Sequence, residues 1–305
     1  MAYEILFMGT PEFSVPILKS LNSNHKVLSV FTQPPQKKFR GQKIVKSPIH
    51  IEAEKLKLPV RTPINLNNMS DYEFIKKSNV KFVIVVAYGQ MIPENLLNIK
   101  DLTFLNIHAS LLPRWRGAAP IQRSIMEMDK KTGITIMKIV RKLDAGPYML
   151  QKSISIETKD NFLSLSKKLS KISADLILDA LSSFNKKDII FKEQNEKFVT
   201  YAKKISKKES EIDWSQPAQK LIAKIKGLNP NPGVWFKHKG TRIKIIEAEI
   251  SDFQGLQGEV LTNDLTVGCQ DKAIKINLLQ KEGKKVLNTK SFLAGYRISK
   301  GEVLT

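Results

Sequence analysis

Residues 102–117 read Leu-Thr-Phe-Leu-Asn-Ile-His-Ala-Ser-Leu-Leu-Pro-Arg-Trp-Arg-Gly. The close succession of Leu102, Phe104, Leu105 and Ile107 describes the end of a buried strand. Asn106 and His108 lie two apart, so on an extended backbone their side chains share one face. Pro113 and Gly117 then break regular structure before a helix-like segment from Ala118 to Met126. An amide and an imidazole where a strand runs into a loop suit a developing oxyanion. They equally fit a solvated strand end, because small polar residues are common in turns. The local pattern leaves both readings open.

Outward from this stretch, short apolar runs alternate with amphipathic segments. Ile5–Met8, Val27–Phe31, Phe82–Val86, Leu102–His108 and Ile134–Ile139 read as strands, and segments near 13–22, 47–57, 70–77 and 118–127 as helices. That order defines an α/β fold with a largely parallel sheet and helices on both faces. Phe82-Val83-Ile84-Val85-Val86 is the continuous apolar run of a strand buried on both sides. Ligands of such sheets sit beyond the carboxyl ends of the strands, where Asn106 and His108 fall. A long helix is expected over Phe162 to Ser183, with Leu165, Leu169, Ile172, Leu176 and Leu181 at helical spacing. The polar, lysine-rich stretch Asn185 to Ser210 marks a boundary, giving a first domain over 1–185, a linker over 186–208 and a second domain over 209–305. In the second domain a short helix at Pro217 to Gly227 precedes the irregular Gly227-Leu-Asn-Pro-Asn-Pro-Gly233. The runs Val234–Phe236, Ile243–Ile250, Val260–Thr262, Leu265–Val267 and Ala273–Leu279 then fit a small barrel or sandwich.

With 305 residues, 42% hydrophobic and 26% charged, the composition is that of a globular protein with a sizeable core. No stretch approaches the roughly 18 consecutive apolar residues of a membrane span. The N-terminus lacks a basic n-region and reads as a first core strand, not a signal peptide. One cysteine, Cys269, fits a reducing compartment and reads as a small core residue. The four histidines are scattered with no zinc-ligand spacing, so no metal is expected. The formal charge of +21 comes from 50 basic residues, of which 8 are Arg and the rest Lys. Such a surface fits a polyanionic partner, and also a lysine-rich solvated exterior. Arginine is the more telling residue, since its fork matches phosphate and carboxylate groups, and Arg114, Arg116 and Arg123 follow the Asn/His strand.

Gly9-Thr10-Pro11-Glu12-Phe13 follows the first strand but lacks the later glycines of a dinucleotide loop. There is no Gly-Lys-Ser/Thr phosphate loop and no Gly-x-Ser-x-Gly elbow, and Ser110 lacks a triad arrangement. Leu143-Asp144-Ala145-Gly146-Pro147 is compatible with plain turn chemistry. If the strand end brings Asp144 against His108, the carboxylate fixes the imidazole beside the Asn106 amide.

Four segments, in order, carry a resemblance over nearly the whole chain. They are Gly9-Thr-Pro-Glu-Phe13, the stretch from Asn106 to Gln122, Leu143-Asp-Ala-Gly-Pro147 and Gly227-Leu-Asn-Pro-Asn-Pro-Gly233. Together they resemble the methionyl-tRNA formyltransferase family. Asn-x-His with a later Asp is shared by all folate-dependent formyltransferases of the fold, whereas Trp115 and Gln122 in their context point to the tRNA enzyme. The resemblance implies a Rossmann-like N-terminal domain and an OB-like C-terminal β-barrel. It implies transfer of formyl from 10-formyltetrahydrofolate, with no metal, to the α-amine of initiator methionyl-tRNA, in a bacterial cytoplasm and by a monomer. Carried over, Asn106, His108 and Asp144 form the catalytic trio and Ser110, Leu111, Leu112 and Pro113 line the folate site. Phe13 is placed near the methionyl side chain.

The loop from Thr32 to His50 holds Lys37, Lys38, Arg40, Lys43 and Lys46 with no Asp or Glu. By itself it reads as a solvated loop; the resemblance places it against the tRNA acceptor end, with Arg40 as a contact and salt-sensitive phosphate binding. From Lys204 onward 18 Lys/Arg face 11 Asp/Glu, a modest electrostatic cradle. A small-molecule formyltransferase for an amino-sugar nucleotide, a folate hydrolase and a non-catalytic RNA-binding module are the competing functions. Replacing Arg40→Ala is expected to raise KM for methionyl-tRNA and leave folate binding unchanged. Initial rates over a tRNA concentration series check this, and an unchanged KM removes the contact.

Overall fold

The computed structural model describes residues 2–38, 43–186 and 189–305. Two compact units emerge. One runs up to Gly117 and adds Thr132–Ile154 and Ser166–Tyr201; the other comprises Ala118–Lys131, Ser155–Leu165 and Ala202–Thr305. The helices are α1 (Val15–Asn24), α2 (Pro48–Lys55), α3 (Met69–Lys77), α4 (Glu94–Leu97), α5 (Pro120–Met126), α6 (Phe162–Lys186), α7 (Ala218–Leu228) and α8 (Thr289–Gly295).

The first unit is built on β1 (Glu4–Gly9), β2 (Lys26–Phe31), β3 (Val60–Arg61), β4 (Phe82–Val86), β5 (Thr103–His108), β6 (Lys131–Lys138) and β7 (Tyr148–Ser155). Their spatial order is β7-β6-β5-β4-β1-β2-β3. β1, β2, β3, β4 and β5 pair in parallel, and β6 runs antiparallel to β5. All five side chains of β4 are buried, and alternation divides them between the faces. Val83 and Val85 join Leu6, Met8, Ile75 and Leu96 in one core cluster. Phe82 turns the other way and meets Phe184 of α6 edge-on, with ring centroids 4.6 Å apart. Ser20 of α1 donates to the Ala174 carbonyl of α6 at 3.2 Å, so these two helices share that face. Both faces are thus covered, which is why the sequence shows unbroken apolar runs. β7 escaped the sequence reading because only Met149 among its eight residues is buried, leaving no apolar alternation to detect.

In the second unit β8 (Val234–His238), β9 (Thr241–Ser251), β10 (Thr266–Gly268), β11 (Ala273–Lys281) and β12 (Val286–Asn288) form one antiparallel sheet in the order β8-β9-β11-β10, with β12 also on β11. The C-terminal tail closes it into a barrel. The Lys237 N–H donates to the Thr305 carbonyl at 2.6 Å, Val303 bridges to Glu259, and Val260 bridges to Val267 of β10. The run Val260–Thr262 supplies that single bridge and no full strand. Val234, Phe236, Ile243, Ile245, Val267, Ile274 and Ile276 fill the interior together with Leu221 and Leu228 of α7. Cys269 is one of these core residues, and burial pushes its thiol up to about 12. α5 packs on α7 at Gly227, where an added Cβ would come within 2.9 Å of Met126 Cγ. Only glycine allows so close an approach.

Glu302 locks the closing tail. Its carboxylate takes Lys239 Nζ at 2.8 Å, His238 Nε2 at 2.8 Å and the Ser299 N–H at 3.3 Å. These partners, Lys239 first, hold its carboxyl down to about 2. A depressed folded-state value gives stability that is fully present above the ordinary value of 4.5 and is lost as pH falls towards about 2. Glu302→Gln is therefore expected to lower Tm at pH 7, with the gap from the wild type closing across that acid window. Thermal melts at stepped pH check it.

Candidate active site

β5 carries Asn106 and His108 to its carboxyl end, and β6 supports them: Asn106 faces Met137 and His108 faces Thr135 in register. Asp144 arrives on the loop between β6 and β7 in a left-handed conformation, φ +46°. The three side chains converge. Asn106 Nδ2 lies 3.4 Å from Asp144 Oδ1, and His108 Nδ1 lies 3.7 Å from Asp144 Oδ2. Oδ2 also accepts the Gly117 N–H at 2.8 Å. His108 and Asp144 side chains are 6% and 15% exposed, so the charge acts with little solvent screening.

The ring of His108 is oriented from its far side. Nε2 lies 2.8 Å from the Trp115 carbonyl, which can only accept, so Nε2 carries the hydrogen. Nδ1, facing the carboxylate, is then an acceptor in the neutral ring and a donor in the imidazolium. Asn106 is the neutral donor of the pair.

Residues 110–113 form a tight, internally bonded loop. Ser110 Oγ donates to the Arg114 carbonyl at 2.6 Å. Thr135 Oγ1 donates to the Ser110 carbonyl at 2.6 Å and accepts from the Leu112 N–H at 3.1 Å and Gln151 Nε2 at 3.0 Å. Gln151 Nε2 also reaches the Leu112 carbonyl at 2.8 Å. Ser110 and Leu112 are buried, whereas Leu111 and Pro113 are half-buried and offer apolar surface. Phe13, half-buried in the turn after β1, has its carbonyl held by Ser170 Oγ at 2.6 Å. Lys37, Lys38 and Lys43 stand in a short antiparallel pair, Gln36–Lys38 with Lys43–Val45, apart from the trio in sequence and in sheet. Arg40 lies outside the described residues.

The arginines after β5 serve the fold. Arg116 is fully buried and donates to Gln194 Oε1 at 2.9 Å and Glu196 Oε1 at 2.8 Å. Arg116 foremost, then Lys142, holds the Glu196 carboxyl down to about 2. Arg123 pairs with Glu209 at 2.8 Å within the second unit, and the Arg114 guanidinium stacks 4.3 Å from the Trp115 ring centroid. Sequence reasoning missed Gly117, Thr135, Gln151, Gln194 and Thr200. The two glutamines and two threonines sit in no motif, and their partners lie between 16 and 85 residues away.

Residues 3–181 match the formyl transferase family, and residues 204–297 match the formyl transferase C-terminal domain. The class is thus that of the formyl transferases. The chain is 49% identical to methionyl-tRNA formyltransferase of Pelagibacter ubique, over 100% of this chain and 99% of that one, and 41% identical to that of Rickettsia bellii, over 96% and 97%. It belongs to the methionyl-tRNA formyltransferase family. Among solved structures, HypX from Aquifex aeolicus in complex with tetrahydrofolic acid superposes with a TM-score of 0.69 at 17% identity, over 100% of this chain and 51% of that one. The N-formyltransferase from Helicobacter canadensis, in complex with folinic acid and dTDP-3-aminofucose, gives 0.67 at 17%, over 92% and 100%. At that identity the two show a common fold.

Thr135 is wholly buried and bonds two backbone groups of the loop as well as Gln151 of β7. Thr135→Val strands the Leu112 N–H and is expected to cost about 1–3 kcal/mol. Denaturant unfolding of the variant against wild type measures it.

Proposed function

We propose that this protein transfers the formyl group of 10-formyltetrahydrofolate to the α-amine of initiator methionyl-tRNA. The observation that carries this reading is the convergence of Asn106, His108 and Asp144 at the carboxyl edge of the sheet, in a chain whose relatives named for that activity match it end to end. The first half is the catalytic one, and the barrel beyond about residue 209 takes the tRNA. A bacterial cytoplasm and a monomeric working state complete the proposal.

The chemistry asks for positioning and charge stabilisation more than for a strong base. A free α-amine has a pKa of roughly 7.7–8.0, and the neighbouring ester lowers it further, so much of it is nucleophilic at neutral pH. Attack on the formyl carbon creates a tetrahedral oxyanion. The Asn106 amide is the neutral donor to that oxygen. His108, locked by Trp115 with Nδ1 inward, takes the proton that the attacking nitrogen sheds and passes it to the departing folate nitrogen. The carbon–nitrogen bond to folate then breaks, leaving tetrahydrofolate and the formylated amine. Asp144, neighbouring Nδ1, stabilises the imidazolium during that relay. Leu111 and Pro113 supply apolar contact to the folate, while Ser110 and Leu112 keep the loop in shape. The turn at Phe13 borders the methionyl side chain. Lys37, Lys38, Lys43 and Arg40 contact the acceptor end of the tRNA.

Supplying 10-formyltetrahydrofolate with charged initiator tRNA, with an amino-sugar nucleotide, or alone, and following the formyl group, tests this reading. Formylated methionyl-tRNA is the expected product; formylated sugar or free formate would overturn it. Asn106→Ala and His108→Ala are each expected to lower kcat by ~10²-fold or more, the first as a lost oxyanion donor and the second as a lost proton carrier. Single-turnover formylation of methionyl-tRNA measures the loss.

A further inference from the structure

Both halves of the His108–Asp144 pair are held from one segment, residues 194–200, which the sequence presents as a featureless polar connector. On the Asp144 side, Gln194 is buried and its Nε2 donates to the carbonyls of Asp144 and Gly146, each at 2.8 Å. Its Oε1 accepts from Arg116 Nε at 2.9 Å, so both ends of the amide are engaged. On the His108 side, Thr200 Oγ1 accepts the Trp115 N–H at 2.9 Å and the Thr200 carbonyl accepts the Arg116 N–H at 2.9 Å. The Trp115 carbonyl then fixes His108 Nε2.

Asp144 needs such a grip. A non-glycine residue at φ +46° is strained and persists only where its surroundings over-determine it. The following turn is pressed on β6 so closely that a Cβ at Gly146 would collide with the Lys138 carbonyl. With its carbonyl tied by Gln194, the Asp144 peptide plane cannot rotate. The carboxylate therefore stays on the Gly117 N–H and beside Nδ1. We propose that Gln194, itself oriented by buried Arg116, is a positioning residue that sets the Asp144 carboxylate against the His108 imidazole.

The inference rests on the formyl-transfer reading, and two variants with two readouts keep it separately testable. Gln194→Glu preserves the acceptor for Arg116 but removes both donors to the Asp144 loop. Gln194→Leu removes all three bonds. For Gln194→Glu with an unchanged melting curve, kcat should fall about 10-fold to 10²-fold. KM for both substrates should stay within about 2-fold, because a shifted carboxylate impairs the reacting geometry and not the binding surfaces. Independently of turnover, the ring ¹⁵N signals of His108 in both variants should move from their wild-type positions towards those of Asp144→Asn. Unmoved His108 signals, or wild-type kcat in a folded Gln194→Glu protein, overturn the assignment. If wild-type protein transfers no formyl group, the functional reading fails while the nitrogen signals still decide the positioning role.

Discussion

The site depends on holding a carboxylate at a backbone conformation that side-chain-bearing residues avoid. Asp144 reaches His108 only because its loop turns left-handed at that point and stays there. Strain of this kind costs on the order of 1–3 kcal/mol and must be offset by bonds to the rest of the structure. Three of those bonds are identifiable: the Gly117 N–H on the carboxylate and Gln194 on the carbonyls of Asp144 and Gly146. They come from two separate stretches of chain, so the position of Asp144 is a property of the assembled unit.

The same stretches explain why an arginine is fully buried beside the reaction centre. A guanidinium removed from water is costly unless its charge and hydrogens are matched. Arg116 meets Glu196, whose carboxyl is held down to about 2, chiefly by Arg116 itself, so the counter-charge is present at neutral pH. Arg116 also meets Gln194, turning a buried charge into an anchor for a neutral amide. Lys192 extends the contact by exchanging two backbone bonds with Tyr148, just past the Asp144 turn. The polar, lysine-rich composition of this region masks the role, because its key contacts are hydrogen bonds and not apolar burial.

Much of the fold was legible because burial writes itself into sequence. The strand at Phe82–Val86 is buried enough to leave a continuous apolar run, Phe104, Leu105 and Ile107 mark the strand Thr103–His108, and the amphipathic period of Phe162–Lys186 marked a long helix. Tyr148–Ser155 was not legible, since an edge strand with exposed side chains carries no such imprint. Barrel closure by Val303 and Thr305 was equally silent, because single backbone bridges demand no residue type. Asn106 and His108 stood out through their shared face. Thr135, which faces His108 and ties down the Ser110–Leu112 loop, looked like one more β-branched strand residue.

By itself the sequence determined where chain is buried, which segments take helical or extended form, and which side chains able to donate, accept or carry charge lie at the strand end. These follow from local periodicity and from the chemistry of single residues. Only the tertiary structure decided that Asp144 turns towards His108, that the imidazole presents Nδ1, that Gln194 holds the Asp144 turn and that Thr200 holds Trp115. Those outcomes rest on contacts made by the folded chain, most of them spanning tens of residues, and no period in a linear sequence records which carbonyl a side chain will meet.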